Sequence, residues 1–193
     1  MVLMKLSGSY QINLEKQKVW EALNDPEILQ KTIPGCEEFI KKSETEFTAT
    51  ATNKIGPFNA SFTGDIELKD LNPPHSYKIT GSGNSPVGFA NGEATVSLED
   101  EDNGTKLTYI VEANVGGKIA QVGSRLIDMT AKKMADIFFG KFSELVSSDQ
   151  DDKKTIDENV EKNKFPKEKK SQNKTLIYIS VVILAAVAVY LII

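Results

Sequence analysis

The sequence predicts an α+β fold in which a curved antiparallel sheet grips a long C-terminal helix, with an apolar transmembrane helix closing the chain. Three observations carry this. Apolar and polar residues alternate with period two at the N-terminus and again in six stretches between Phe39 and Val115. Short turn signals separate those stretches (Asn72-Pro73-Pro74, Asn84-Ser85-Pro86, Asp102-Asn103-Gly104), so successive strands should pair antiparallel. Only one long amphipathic stretch, Gly117 to about Val146, is available to cover the apolar face of such a sheet.

The elements follow in order. Leu6, Gly8, Tyr10 and Ile12 alternate with Lys5, Ser7, Ser9 and Gln11 as a half-buried strand. Asn13 is placed to cap a helix that buries Val19, Trp20 and Leu23; Asp25-Pro26 opens a second short helix, which Pro34-Gly35 ends. Phe39 and Ile40 mark a short strand. Phe47, Ala49, Ala51 and Ile55 then face one way, as do Phe58, Ala60, Phe62, Gly64, Ile66 and Leu68 on the next strand. Tyr77, Ile79 and Gly81, then Ala90, Gly92, Ala94, Val96 and Leu98, then Leu107, Tyr109, Val111, Ala113 and Val115 continue the pattern. The last helix carries Ile119, Val122, Leu126, Met129, Met134, Ile137, Phe138, Phe142 and Leu145 on its apolar face.

Residues 1–146 are therefore read as one domain, 147–174 as a charged flexible linker and 175–193 as a transmembrane tail anchor. The linker is rich in Asp, Glu and Lys and poor in apolar residues; as a coil its root-mean-square span is about 30 Å. The segment TLIYISVVILAAVAVYLII holds no charge, Gly or Pro. As a helix it reaches about 27 Å, close to the thickness of a bilayer core, with Tyr178 and Tyr190 near its ends. Lys164, Lys167, Lys169, Lys170 and Lys174 precede it, which predicts a single-pass protein of the cell membrane with its N-terminal domain in the cytoplasm. The N-terminus lacks the apolar block of a signal peptide and reads as folded protein from its start.

Of 193 residues, 40% are hydrophobic and 26% charged, with a net charge of −4, so no basic surface for nucleic acid is expected. One cysteine and one histidine rule out an intramolecular disulfide and a Cys/His zinc cluster. His75 follows two prolines and reads as a turn residue, Cys36 as a small buried thiol, and Glu99 to Asp102 as a solvated turn. Arg125 and Asp128 are spaced for an ion pair on one helix face, or for a contact to a ligand head. No catalytic residue, metal site or cofactor is expected.

The inward positions are unusually small, including Ala49, Ala51, Gly81, Gly92, Ala94 and Ala113, and they oppose a helix bare at Gly117, Ala120 and Gly123. Either sheet and helix pack closely, or a cavity remains between them. Phe47, Phe62, Tyr77, Phe89 and Tyr109 would wall such a cavity, with Ala94, Gly117, Ala120, Gly123 and Leu126 leaving room for an apolar ligand along the helix.

The stretches WEALNDPEILQKTIPGCE, KIGPFNASFTGDIELKDLNPPHSYKITGSG, GFANGEATVSLED and GGKIAQVGSRLIDMTAKKMADIFFGKF resemble the family of the carbon monoxide dehydrogenase subunit CoxG over about residues 4–146. Pro34-Gly35-Cys36-Glu37, Gly88-Phe89 and Gly116 to Asp128 match its pattern. The resemblance implies a Bet v 1/START-like (SRPBCC) helix-grip fold. It also implies a non-catalytic accessory protein that recruits a molybdenum hydroxylase of the carbon monoxide dehydrogenase type to the cytoplasmic membrane. The superfamily implies an apolar cavity for a lipid, a quinone or another hydrophobic molecule. Three functions are thus open: a tail-anchored module binding such a ligand, a pure protein-docking anchor with a packed interior, and an enzyme of the cyclase or aromatase kind.

Overall fold

The N-terminal alternation forms β1 (Val2–Ile12), with Met4 and Ile12 buried and Lys5, Ser7 and Ser9 outward. The structure is a computed structural model and describes residues 1–157. Two short helices follow, α1 (Lys16–Ala22) and α2 (Pro26–Thr32). Asp25 caps α2 through Oδ1, which accepts from the backbone N–H of Glu27 at 2.8 Å, with Pro26 in the first turn. The cap expected at Asn13 does not form: α1 starts at Lys16, behind Glu15, whose side chain makes no cap. Residues 12–14 are held elsewhere. Leu14 N–H donates to the Ile12 carbonyl at 2.8 Å, and Thr105 Oγ1 donates to the Leu14 carbonyl at 2.7 Å.

The rest of the sheet is β2 (Cys36–Lys41), β3 (Glu46–Ile55), β4 (Phe58–Asn72), β5 (Ser76–Ser85), β6 (Gly88–Glu101) and β7 (Gly104–Gly117). The seven strands lie in the order β1-β7-β6-β5-β4-β3-β2, and every neighbouring pair is antiparallel. Period-two parity holds on the inner face: Phe47, Ala49 and Ala51 on β3, Phe62, Ile66 and Leu68 on β4, and Leu107, Tyr109, Val111 and Ala113 on β7 are all buried. The Pro34-Gly35 turn is stitched to β3, where Thr52 N–H donates to the Gly35 carbonyl at 3.0 Å and Asn53 Nδ2 to the Pro34 carbonyl at 2.9 Å.

The long helix differs from its expected form. β7 runs through Gly117, a 3₁₀ turn covers Lys118–Val122, and α3 begins only at Ser124 and extends to Asp157. Gly117 (φ +83°) and Gly123 (φ +89°) bound the 3₁₀ turn, so Gly123 is a junction residue and not part of a helix. The junction also resets the helical phase, because a 3₁₀ turn has three residues per turn where an α-helix has 3.6. The buried stripe of α3 is therefore Ile127, Ala131, Ala135, Phe138, Phe139, Phe142 and Val146, while Met129, expected inward, is 62% exposed.

α3 lies along β1 and reaches α2. Tyr10 fastens it: its hydroxyl donates to Asp136 Oδ1 at 2.5 Å, and its ring stacks on Phe139 with centroids 4.0 Å apart. α3 passes the domain boundary expected at residue 146. The remainder of the expected linker, from 158, and the anchor expected at 175–193 lie outside the described residues. Among the described residues no helix is long and apolar enough to cross a membrane.

Candidate functional site

The site expected from sequence is the space between the inner face of the sheet and α3. Phe47, Phe62, Tyr77, Ala94 and Tyr109 all lie on the inner face of the sheet and are buried. Phe89 does not. It has the opposite parity to Ala90 on β6, is 39% exposed, and lays its ring over Gly116 on the outer face, so it walls no cavity. Gly117 and Gly123 are exposed, while Ala120 and Leu126 are half-buried.

Four of the glycines mark close approach between neighbouring strands. A Cβ at Gly117 would lie 2.5 Å from Gly88 Cα, and one at Gly92 would collide with the Glu112 carbonyl oxygen. Gly116 is covered by Phe89, and Gly8 by Tyr109. Gly123, like Gly140 on α3, has nothing within 4 Å of its Cβ position; backbone conformation alone favours glycine at 123. Around Ala49, Ala51, Ala94 and Ala113 the interior is sealed, since each is at most 1% exposed.

The seal loosens toward one end. Val87, before β6, and Val122 are only partly buried, as are Leu126 and Phe58. Val87, Val122 and Leu126 gather around the 3₁₀ turn: Ile119 N–H donates to the Val87 carbonyl at 3.0 Å, and a Cβ at Gly56, on the β3–β4 hairpin tip, would lie 3.0 Å from Leu126 and 3.5 Å from Val122. An apolar rim thus surrounds the start of α3.

The opposite end, beneath α1, holds the interior's polar atoms. Trp20 meets Tyr77 edge-on at 5.3 Å, and Asn24 Nδ2 donates to the Trp20 carbonyl. Trp20 Nε1, Tyr77 Oη and Asn24 Oδ1 are buried without a hydrogen-bond partner. Burial pushes the Tyr77 phenol well above the ordinary tyrosine range. In the sequence Trp20 reads as a core residue and Tyr77 as a wall; the signal for more is the N–H and O–H that these aromatic rings carry into an apolar site.

Reactive groups do not converge there. His75 is exposed in the β4–β5 turn, and Glu99 to Asp102 are exposed as expected. Cys36 is half-buried, its Sγ 3.4 Å from the Glu38 carbonyl, and burial pushes its thiol up to about 11. Arg125 and Asp128 are both exposed and make no ion pair with each other among the described residues. A depression on the outer face contains Lys42, Asp65 and Glu67. Its Asp65 carboxylate accepts from Thr48 Oγ1 at 2.6 Å and from Lys42 Nζ at 2.9 Å, which hold it below the usual carboxylate range. No group of three His, Cys, Asp or Glu side chains among the described residues is placed to hold a metal.

A family model described as the carbon monoxide dehydrogenase subunit CoxG matches residues 8–147. No protein of curated function matches the chain. Among solved structures, a conserved protein from Geobacillus kaustophilus is 32% identical, with a TM-score of 0.72, covering 75% of this chain and 96% of that one. A protein from Rhizobium leguminosarum is 15% identical with a TM-score of 0.59, covering 76% of this chain and 96% of that one. The Zhui aromatase/cyclase from a Streptomyces species is 10% identical with a TM-score of 0.56, covering 76% of this chain and 94% of that one. At those two lower identities the likeness is one of fold: an antiparallel curved sheet with a C-terminal helix.

Proposed function

The chain belongs to the family of the carbon monoxide dehydrogenase subunit CoxG, and on that premise we propose that it is a non-catalytic, membrane-anchored binding module. Its domain takes up a hydrophobic guest, a lipid or a quinone, and recruits a molybdenum hydroxylase of the carbon monoxide dehydrogenase type to the cytoplasmic membrane. The tail at 175–193 is the anchor. The observation that supports the reading is the partly buried apolar cluster of Val87, Val122 and Leu126 at the start of α3, the place where we propose that an apolar guest enters. Moving such a guest from a bilayer into protein is feasible only where apolar surroundings are replaced, at about 25 cal/mol per Å².

The test is to purify the full-length chain from its native membranes, extract it with organic solvent and identify any guest by mass spectrometry. A stoichiometric lipid or quinone is expected, and its absence from a folded, monodisperse protein would overturn the ligand role. Deleting 175–193 should move the protein to the soluble fraction.

A second reading, a docking module without a guest, draws support from the sealed interior around Ala49, Ala51, Ala94 and Ala113. It predicts an empty extract together with retained capture of the hydroxylase.

A further inference from the structure

We propose that the outer face of the sheet, where β1, β7 and β6 lie side by side, is the surface on which the molybdenum hydroxylase docks. The partner surface that fits it carries an apolar projection flanked by lysine or arginine. The inference rests on the recruitment part of the proposed function and assigns it a face.

The outward positions of β4 from Asn59 to Lys69 and of β5 from Ser76 to Asn84 are polar without exception. The neighbouring strands break that rule. Leu3 on β1 is 58% exposed, Ile110 on β7 57% and Phe89 on β6 39%. Each is followed in the chain by a buried residue, Met4, Val111 and Ala90, so these three side chains point away from the core. One exposed apolar residue needs no explanation, but three on adjacent strands of an otherwise polar face mark an interaction surface. Leu3 faces Asn114 across the β1–β7 ladder, which puts it about 14 Å from Ile110 along the strands, with Glu112 midway.

Charge selects the occupant. Between Leu3 and Ile110 runs one register line that crosses six strands: Lys5, Glu112, Glu93, Thr80, Glu67 and Glu46. Glu112 and Glu93 face each other directly, as do Glu67 and Glu46, and like charges so placed repel. Lys5 reaches Glu112 at 2.5 Å. Glu93 makes no ion pair among the described residues, and Lys78, on the next strand, is held by Asp70 at 2.7 Å. A basic partner surface relieves this repulsion while an apolar projection covers Leu3 or Ile110, the usual division of a protein interface into apolar centre and polar rim. The line is about 24 Å wide, room for a standard protein contact. An anionic bilayer would be repelled by it. A second copy related by a two-fold axis would bring the same carboxylates toward each other.

The experiment places the photo-cross-linker benzoylphenylalanine at Leu3, at Ile110 or, as a control on the far side, at exposed Met129 of the full-length chain in its native cells. Cross-links from 3 and 110 to a hydroxylase subunit are expected, and none from 129. Capture of the hydroxylase, purified from the same cells, by the immobilised full-length chain in dodecyl maltoside supplies the second measurement. The double variant Glu93→Gln/Glu112→Gln should keep the unfolding midpoint and weaken capture about 5-fold at about 0.05 M salt, a difference that should vanish near about 0.5 M. Cross-links to hydroxylase from 129 alone, cross-links from 3 and 110 only to lipid or to a second copy, or capture indifferent to both salt and the double variant would each overturn the docking face and leave recruitment standing. If the unaltered chain captures no hydroxylase, recruitment falls with it.

Discussion

The ring of Phe89 lies over Gly116, its partner across the β6–β7 ladder, so closely that a Cβ at Gly116 would collide with it. Gly8 and Tyr109, also register partners, repeat the arrangement on the inner face, where a Cβ would meet the phenol oxygen at 2.6 Å. In both pairs an aromatic side chain covers the backbone that glycine leaves bare.

The two pairs should respond differently to substitution. Tyr109 is buried and stacks with Tyr10 and Phe139, so its ring cannot swing away. Gly8→Ala should therefore cost about 1–3 kcal/mol by overpacking. Phe89 is exposed and can move, so Gly116→Ala should stay under about 1 kcal/mol. Urea midpoints of the two variants test this, and equal losses would contradict it.

Gly123 should be sensitive through its backbone. At φ +89° and ψ 150° it occupies a region essentially closed to L side chains, although no atom lies within 4 Å of its Cβ position. Gly123→Ala should lose about 1–3 kcal/mol of stability. Gly123→Leu should lose a similar amount, so reduced ligand uptake by that variant must be corrected for stability before it is read as steric block. A neutral Gly123→Ala would show that the junction relaxes.

Stability should fall on the alkaline side. Burial raises the phenols of Tyr10, Tyr77 and Tyr109 above the ordinary value of 10.0, with Asp136 adding to the effect on Tyr10. In the unfolded chain these groups lose protons near pH 10 while the folded chain keeps them, so above that pH the unfolded state binds fewer protons. Their contribution is full below about pH 10 and lost as pH rises past it, with Tyr77 alone giving a slope of up to about 1.4 kcal/mol per unit. Denaturant titrations between about pH 8 and 11 should show this decline, and Tyr77→Phe should flatten it.

The Cys36 thiol, raised by burial to about 11, should alkylate slowly. Against an ordinary cysteine near 9.0, its thiolate fraction at about pH 8 is roughly a hundredfold lower. Iodoacetamide labelling should therefore lag an unfolded control by about that factor, and rapid labelling of folded protein would refute the burial account.

The strands were legible because one face of each is buried and parity repeats along each of them, with a register shift only at Lys69–Asn72 between Phe47 and Val115. The Asp25-Pro26 cap was legible because its chemistry is local. Asn13 has equally good capping chemistry, but Thr105, far away in sequence, holds the neighbouring Leu14 carbonyl and delays the helix. The phase of α3 was lost for a related reason: the 3₁₀ turn at Lys118–Val122 and the bend at Gly123 interrupt a pattern that looks continuous in apolar residues. Of the expected site, buried aromatic residues such as Phe47, Phe62 and Tyr77 were readable from parity. Phe89 was misplaced because its size suggested a wall, although its position beside Ala90 on β6 put it outside.

The pairing of β1 with β7 has a consequence for synthesis on the ribosome. Residues 2–12 emerge long before residues 105–115, their ladder partners. The meander from β2 to β7 can zip hairpin by hairpin as it appears, because each of its turns is short. The first strand must wait for the last, exposing Met4, Leu6 and Ile12 meanwhile. Such a long-range closure is intrinsically slow and leaves the unpaired β1 segment a natural client for a chaperone. It also means that α3, fastened to Tyr10 on β1, docks fully only once that final ladder has closed.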